Sequence, residues 1–308
     1  MHILWIRTGG TIDSERTAQG LRPVRRGDDS FLQTADCVLD QIEPFCIDSS
    51  DLTCDQIEQL ATLIRGSTAD GFMITHGTDT LAYTAAGLSF LLPDERRPIV
   101  LTGAMPPLFE SGSDGASNLA GALAAAQHPA VCGVHVFFAG QLFFGTHVWK
   151  NHSKAADAFI SLGAPVAGYM EQDGLHLLHR QKRAAPFGDS LCGQAALVWI
   201  HPGFDPAMLA DLSAQAVILM GYGAGNLPAR VVHAAAGSAR DFYVITQCLH
   251  GGVDLSMYQA GAAVRRAGIV PLDVTPAAAV MKAAAVYAVG KPELMRQNLI
   301  GETRWEQS

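Results

Sequence analysis

"HILWIRTGGTI", residues 2–12, joins a short apolar run to two glycines that stand between two threonines. The run at 2–7 is typical of a β-strand. Glycines directly after a strand let the backbone turn tightly and bring its N–H groups close to a ligand. The stretch therefore predicts a strand that ends in a tight turn near the start of the chain.

Three interpretations of this turn are open when the motif is taken alone. The plainest is a strand-to-loop turn whose threonines are satisfied by local hydrogen bonds. Phosphate binding is weakly supported, because neither G-x-G-x-x-G nor G-x-x-x-x-G-K-[ST] is present. In the third interpretation, Thr11 is a nucleophile and neighbouring backbone N–H groups form an oxyanion hole.

Apolar runs and helix-like segments alternate along the first half of the chain. Strands are predicted at 44–48, 71–75, 98–103 and 131–140, and helices at 53–66, 81–92 and 114–127. This alternation indicates a parallel sheet covered by helices on both faces. Ligands bind such sheets beyond the carboxyl ends of the strands. We therefore expect "TGGT", "SSD", "HGTDT" and "TGAM", which each follow a predicted strand, to meet at one edge.

A composition break at 179–189, "HRQKRAAPFGD", predicts a linker. The chain beyond it repeats the α/β pattern on a smaller scale, with final helices that begin near Pro276 and Pro292. The predicted fold is therefore α/β. It has a larger N-terminal parallel-sheet domain over residues 1–188, covered by helices on both faces, and a smaller C-terminal α/β domain over 195–308.

Composition narrows the class of protein. The 308-residue chain carries a net charge of −8, which argues against nucleic acid or an anionic membrane as a partner. Its six cysteines form no C-x-x-C, and none pairs with a histidine at metal-ligand spacing, so we expect reduced thiols and no metal site. The longest apolar stretch is broken by Lys282, and the N-terminal run leads directly into the turn instead of forming a leader. We therefore expect a cytoplasmic protein that does not bind membranes.

"THGTDT", residues 75–80, concentrates hydroxyl and carboxylate groups at a predicted helix start. Taken alone, Thr78 or Asp79 is best explained as the helix cap. Asp79 could instead hold the ammonium group of a small substrate. Lys150, in "GTHVWKNHSK", is typical of a solvated lysine unless it lies beside Thr78, where it could accept a hydroxyl proton.

The ordered set "TGGTI", "DSSD", "THGTDTLAYTA", "LTGAMPP", "SDG…NL", "GYGAGN" and "TQCLHG" resembles the bacterial-type L-asparaginases. It is most similar to their cytoplasmic type I branch, and the resemblance extends from the first strand to "NLIGE" near the C-terminus. It implies an amidohydrolase that converts L-asparagine to L-aspartate and ammonia without a metal or organic cofactor. It also implies a homodimer or homotetramer.

The resemblance implies two catalytic clusters. Thr11 matches the nucleophile, which attacks the side-chain amide carbon of asparagine. Thr78, Asp79 and Lys150 match the second cluster. There the threonine and the lysine act in proton transfer and water activation.

The resemblance also implies the substrate-binding residues. Asp79 matches the aspartate that holds the α-amino group of the substrate. Ser49 and Ser50, in "DSSD", match the positions that bind the α-carboxylate. Ala104, in "TGAM", matches the residue whose carbonyl accepts a hydrogen bond from the scissile amide.

One position departs from the family pattern. The family carries a tyrosine on a mobile loop shortly after the nucleophile, and that tyrosine helps to activate it; here the position is Leu21. Either Asp13, Glu15 or Arg22 substitutes for the missing hydroxyl, or the protein is slow or altered in specificity. The second case includes an amino-acid sensor that binds but catalyses poorly.

Two further comparisons with the family concern allosteric regulation and a related amidotransferase subunit. Trp149 and Met220 stand where some type I relatives carry a threonine and an arginine linked to regulation by a second asparagine, so we do not expect allosteric activation. The same fold also occurs in a tRNA-dependent amidotransferase subunit that releases ammonia. That subunit carries an additional N-terminal domain, whereas this chain begins at the first strand, which favours the asparaginase.

Overall fold

The computed structural model describes residues 1–24 and 37–305. Its strands, in chain order, are β1 His2–Arg7, β2 Ser14–Thr17, β3 Gly20–Pro23, β4 Val38–Ile42, β5 Gly71–Thr75, β6 Pro98–Thr102, β7 Gly133–Phe138, β8 Gln141–Phe144, β9 Val148–Lys150, β10 Phe159–Ser161, β11 Gly168–Glu171, β12 Gly174–Leu177, β13 Ala195–Trp199, β14 Ala216–Gly221, β15 Asp241–Thr246 and β16 Val270–Pro271. Its α-helices are α1 Cys54–Gly66, α2 Leu81–Leu91, α3 Gly115–Gln127, α4 Ala229–Ala236, α5 Gln259–Arg266 and α6 Pro276–Ala288. Short 3-10 turns lie at Thr11–Asp13, Ser49–Asp51, Pro206–Leu209 and Pro292–Arg296.

The larger sheet has the strand order β12-β11-β8-β7-β6-β5-β1-β4. The neighbouring strands β7, β6, β5, β1 and β4 run parallel to one another. At the other end of the sheet, β8, β11 and β12 add antiparallel pairs. Since parallel neighbours end on the same side, the carboxyl ends of β1, β5 and β6 share one edge of the sheet. This edge brings the predicted polar segments together.

Side chains of β1 alternate between two hydrophobic cores. Ile3 and Trp5 pack with residues of α3 on one face, and Leu4 and Ile6 pack with residues of α1 and α2 on the other. Successive side chains of a strand point to opposite faces, so a fully apolar run such as β1 is stable only when both faces are covered. The prediction of helices on both faces is confirmed.

Helix α1 begins and ends where its sequence predicts. The backbone N–H of Thr53 donates to Gln56 Oε1 at 2.9 Å, as in a capping box, and the helix ends at Gly66. Its buried face carries Ile57, Leu60, Ala61 and Ile64 at helical spacing. Local signals therefore suffice for this element.

The prediction of a strand at 44–48 is wrong. The strand next to β1 is β4, Val38–Ile42, and the later segment contributes only an isolated bridge between Ile47 and Gly9. β4 is the edge strand and is largely exposed, so its sequence "VLDQI" is half polar. Phe45 packs against a hydrophobic core, so residues 44–48 contain an apolar side chain as a buried strand would.

The smaller sheet has the parallel order β13-β14-β15-β16. Residues of α4 and α5 pack on one of its faces and residues of α6 on the other. The α/β class of this second unit is therefore confirmed. The boundary predicted between 188 and 195 falls between β12 and β13 and stays a prediction, and residues 306–308 of the predicted C-terminal domain lie outside the described residues.

Helix α6 belongs to both cores. Ala277, Ala278 and Met281 pack in the larger one, whereas Ala283 and Val286 pack in the smaller one. Small side chains on both faces allow the helix to fit between two surfaces, which explains the alanine-rich sequence. In the described part of the chain, no helix is both long and apolar enough to cross a bilayer.

Candidate active site

Three turns at the carboxyl edge of the larger sheet are in direct contact. A Cβ atom placed on Gly10 would lie 2.3 Å from the Cα of Gly77, so a side chain there would collide with the neighbouring turn. A Cβ on Gly77 would in turn lie 2.4 Å from Ser49 Oγ. These glycines are therefore required by close backbone approach, which brings the segments of Thr11, Ser49 and Thr78 together.

Thr11 begins a 3-10 turn directly after the glycine pair. Gly9 and Gly10 have φ values of 90° and 78°, a conformation that favours glycine. The Ser14 hydroxyl donates to the Gly10 carbonyl at 2.8 Å, and the Arg7 guanidinium lies 2.5 Å from Asp13 Oδ1 with both side chains buried. Local hydrogen bonds and a buried ion pair thus hold the turn that carries Thr11.

Thr78, Asp79 and Lys150 form one hydrogen-bonded cluster. The Lys150 ammonium donates to Thr78 Oγ1 at 2.7 Å and to Asp79 Oδ1 at 2.6 Å. Thr78 is buried, the Lys150 side chain is 18% exposed and that of Asp79 is 66% exposed. The interpretation of Lys150 as a solvated lysine is therefore wrong, and the Asp79 carboxylate is the solvent-exposed member of the cluster.

Neither Thr78 nor Asp79 caps the helix that follows. The N-cap of α2 is Thr80, whose hydroxyl instead donates to the Ser49 carbonyl at 2.7 Å. This bond joins the turn of Ser49 to the segment that precedes α2, and Thr78 and Asp79 have no capping role. The two serines differ: Ser49 is buried, whereas Ser50 is exposed and its hydroxyl donates to Asp48 Oδ1 at 2.9 Å.

The loop that carries Ala104 is held by two residues to which the sequence analysis assigned no role. Asp114 Oδ1 accepts from the Met105 N–H at 2.9 Å, and the Asn118 amide donates to the Gly103 carbonyl at 3.0 Å. Ala104 itself is buried between these contacts. Both residues belong to the motif "SDG…NL" at the start of α3, but the backbone groups that they hold can be identified only in the tertiary structure.

His76 is a further positioning residue whose role was not predicted from the sequence. Its Nδ1 lies 2.7 Å from the Gly77 carbonyl and its Nε2 lies 2.9 Å from Thr84 Oγ1. Since a carbonyl only accepts, Nδ1 carries the proton and the threonine hydroxyl donates to Nε2. Burial lowers the pKa of His76 to about 4, so the ring is neutral at pH 7 and fixes the backbone directly before Thr78.

The buried histidines predict a loss of stability in acid. Burial holds the pKa values of His76 and His135 near 4 in the folded state, against about 6.5 when unfolded. As the pH falls below about 6.5, the unfolded chain binds protons that the folded chain does not, so the free energy of unfolding decreases until about pH 4.

We expect each of these two histidines to contribute a loss of about 2 kcal/mol between pH 7 and pH 5. Urea unfolding at both pH values measures it, and His76→Gln should reduce the difference by that amount. His176→Gln is the control. Asp173 raises the pKa of this histidine, so its removal should not reduce the difference between the two pH values. An unchanged pH difference in His76→Gln would contradict the expectation.

The hairpin β2–β3, which directly follows the Thr11–Asp13 turn, carries Leu21. Leu21 lies opposite Arg16 in the register and is 39% exposed. The groups named as substitutes for a tyrosine are engaged in ion pairs: Asp13 with Arg7, and Arg22 with Glu15 at 2.7 Å. This pairing weakens the case for any of them as the base that activates Thr11.

Trp149 and Met220 line one cavity of about 80 Å³, together with residues of both domains such as His147 and Thr275. A different group, Glu171, Asp173 and His176, has the donor atoms to hold a metal ion. It lies on the exposed β11–β12 hairpin, near the opposite end of the sheet order from β1 and β5. It therefore has no part in the cluster around Thr78.

The comparisons with known proteins agree over nearly the whole chain. The family model for the N-terminal domain of asparaginases matches residues 2–183, and that for the C-terminal domain of glutaminases and asparaginases matches 194–299. L-asparaginase of Thermococcus kodakarensis is 34% identical, covering 98% of this chain and 99% of the relative. L-asparaginase 1 of Escherichia coli is 33% identical, covering 85% and 84%.

Solved structures show the same similarity. The thermostable L-asparaginase from Thermococcus kodakarensis superposes with a TM-score of 0.92 at 30% identity, covering 99% of this chain and 100% of that one. L-asparaginase I from Vibrio cholerae superposes with a TM-score of 0.83 at 26% identity, covering 99% of both chains. With both domains matched by family models and with relatives above 30% identity across most of the chain, this protein belongs to the asparaginase family.

Proposed function

We propose that this protein hydrolyses the side-chain amide of L-asparagine to give L-aspartate and ammonia. The observation that carries the proposal is the Lys150 ammonium bonded to both Thr78 and Asp79, beside a turn that presents Thr11. A hydroxyl, an amine and a carboxylate in one cluster, with a second hydroxyl on the adjoining turn, are the groups that threonine-dependent amide hydrolysis needs. Membership of the asparaginase family supports the same activity.

Each predicted site residue has a role in the proposed reaction. Thr11 Oγ1 attacks the amide carbon, and the amide nitrogen leaves as ammonia after protonation. A water molecule then cleaves the acyl-enzyme ester and releases aspartate. Thr78 and Lys150 transfer the protons in these steps, because their bond at 2.7 Å offers a direct path between hydroxyl and amine.

Recognition in the proposed site follows from the charges of the substrate. Asparagine carries an α-ammonium and an α-carboxylate next to a neutral amide. Asp79 Oδ2 would accept from the ammonium while Oδ1 bonds Lys150. The Ser49 hydroxyl would donate to the carboxylate, and the Ser50 hydroxyl would do so after turning away from Asp48 Oδ1. The carbonyl of Ala104 would accept from the scissile amide.

Ammonia release by the purified protein tests the proposal. L-asparagine, L-glutamine and the D-isomers would be compared, with Thr11→Val as the blank for contaminating activity. Release from L-asparagine that is absent in Thr11→Val supports the function. Absence of release from every substrate contradicts it.

A second candidate is an amino-acid sensor that keeps the binding groups and lacks efficient catalysis. Leu21 favours it, because the tyrosine hydroxyl that the family resemblance implies is missing at this position. Thermal stabilisation by L-asparagine without release of ammonia would support the sensor over the enzyme. Stabilisation by a bound ligand follows from linkage and needs no turnover.

Leu21→Tyr is expected to raise kcat for L-asparagine. A positioned proton-transfer group contributes about 10²- to 10⁴-fold, and Leu21 occupies the place of such a group, so we expect a gain of at least about tenfold. The control is Leu21→Phe, which adds the ring without the hydroxyl. A fast parent enzyme that gains nothing from the tyrosine would show that the hydroxyl is not missed.

The rate is expected to depend hyperbolically on the asparagine concentration. Trp149 and Met220 line the cavity between the domains with apolar side chains. Some type I relatives carry a threonine and an arginine, linked to regulation, at these positions. Initial rates from well below to well above KM, fitted with a Hill coefficient, measure this. A clearly sigmoidal curve would contradict the expectation.

Assembly and location belong to the same proposal. We expect a homodimer or homotetramer in the cytoplasm, divided into domains at 1–188 and 195–308. The sheets on either side of the predicted linker support that division, because each has its own core.

A further inference from the structure

Lys150 is carried by a short ribbon and not by either of the larger sheets. β9 pairs antiparallel with β10 in a two-stranded sheet, and Lys150 lies opposite Phe159. Two-stranded ribbons are marginally stable by themselves. The position of Lys150 Nζ therefore depends on the contacts that hold the ribbon to the rest of the protein.

The C-terminal segment Ile300–Trp305 holds the base of this ribbon through His147. His147 directly precedes β9 and is buried; its Nε2 lies 2.9 Å from the Gly301 carbonyl and its Nδ1 lies 2.8 Å from the Leu162 carbonyl. Burial lowers the pKa of His147, so its ring is neutral and donates to one of the two carbonyls at a time. Since Leu162 directly follows β10, the ring lies between the end of that strand and the C-terminal segment. The Trp305 N–H adds a bond to the Gly163 carbonyl at 2.6 Å.

The segment is itself fixed by a buried charge pair. Glu302 is fully buried and accepts from Lys282 Nζ of α6 at 2.7 Å. The same carboxylate accepts from the backbone N–H groups of Leu299 at 3.1 Å and Ile300 at 2.8 Å. A buried carboxylate with this many partners is rigidly placed, and so is the adjoining Gly301 carbonyl.

We infer that His147 is a positioning residue for Lys150, and that the segment Ile300–Trp305 acts on the candidate site through it. The inference rests on the proposed function for its catalytic meaning, but the placement of Lys150 can be measured without turnover. Losing the imidazole removes the side-chain contact between the base of β9 and the C-terminal segment, while the bond from Trp305 to Gly163 remains. A catalytic group displaced by about 1 Å can lower the rate by about 100-fold.

The first test measures the reactivity of the Lys150 amine by competitive acetylation and mass spectrometry, with exposed Lys154 as internal reference. In His147→Leu we expect Lys150 to be acetylated at least about threefold faster relative to Lys154, because charge-assisted hydrogen bonds to Thr78 and Asp79 are weakened. His128→Leu is the control, since His128 is a half-buried histidine at the C-terminal end of α3, where its Nδ1 accepts from the Ala130 N–H. It should leave the ratio unchanged.

The second test separates kcat from KM for L-asparagine. We expect His147→Leu to lower kcat by about 10- to 100-fold with little change in KM. His147→Gln, whose amide can still donate to one carbonyl, should retain more activity. If His147→Leu does not fold, Trp305→Ala loosens the same segment, since the Trp305 ring packs against Phe144 at 5.4 Å.

Unchanged acetylation of Lys150 in a folded His147→Leu or Trp305→Ala would overturn the inference, whatever happens to the rate. An equal effect of His128→Leu would also overturn it, because the cause would then be general destabilisation. If the wild-type protein releases no ammonia, the proposed function fails, while the acetylation ratios still decide whether His147 positions Lys150.

Discussion

Thr11→Val is expected to abolish ammonia release from L-asparagine, with a fall in kcat on the order of 10⁴-fold or more. Valine has nearly the shape of threonine and removes the hydroxyl that would attack the amide carbon. The remaining groups can bind substrate but cannot form the acyl-enzyme. Thr11 is half-buried at the start of a turn fixed by Ser14 and by the Arg7–Asp13 pair, so we expect the fold to survive the change.

The chain offers a matched control within the same motif. Thr8 stands on the other side of the two glycines, is buried, and its hydroxyl donates to the Thr75 carbonyl at 2.9 Å. That carbonyl also accepts from the Thr8 backbone N–H at 3.1 Å, so Thr8→Val leaves it satisfied. We expect this variant to lose about 1 kcal/mol of stability and to keep most of its activity.

The comparison of the two valine variants identifies the nucleophile. Steady-state kcat and mass-spectrometric detection of an acyl-enzyme after rapid quenching measure it. If Thr11→Val retained more than about a tenth of the wild-type rate, the attacking group would be another hydroxyl, and Thr78 would be the next to test.

Lys150→Met is expected to lower kcat by about 10²- to 10⁴-fold. Methionine keeps the length of the stem and removes the amine that bonds Thr78 and Asp79. The Thr78 hydroxyl then has no amine with which to exchange its proton. Asp79 remains exposed and able to bind an ammonium group, so the loss should fall mainly on kcat and less on KM.

Two further variants interpret that result. Lys150→Arg keeps a positive charge but cannot accept a proton at neutral pH, so it should be nearly as slow as Lys150→Met. Lys154→Met, at an exposed lysine four positions away, should change little. An active Lys150→Arg enzyme would mean that Lys150 contributes charge and not proton transfer.

Much of the candidate site could be predicted because its chemistry is concentrated in short motifs after strands. β1, β5 and β6 are apolar on both faces, which identifies them as central strands and places "TGGT", "HGTDT" and "TGAM" at their carboxyl ends. The resemblance to the family then assigned residues within those segments. Edge strand β4 was missed because partial exposure makes its sequence polar, and Pro44–Asp48 imitated it.

The residues that support the site could not be predicted in the same way. His76, Asp114 and Asn118 are ordinary polar residues in sequence, and their functions depend on the backbone groups that meet them. His147 is separated from its partner Gly301 by 154 positions. No local pattern carries such information.

The sequence by itself determined the central strands β1, β5 and β6 and the helices that cover them, the turn that requires glycine at residues 9 and 10, and the polar segments at one edge of the sheet. These follow from periodicity and from backbone sterics that act over a few residues. Only the tertiary structure decided that Lys150 bonds to Thr78 and Asp79. It also decided that the C-terminal segment contacts His147, next to the β9–β10 ribbon that carries Lys150. Such contacts form between distant parts of the chain, and they are fixed by the packing of complete elements against each other.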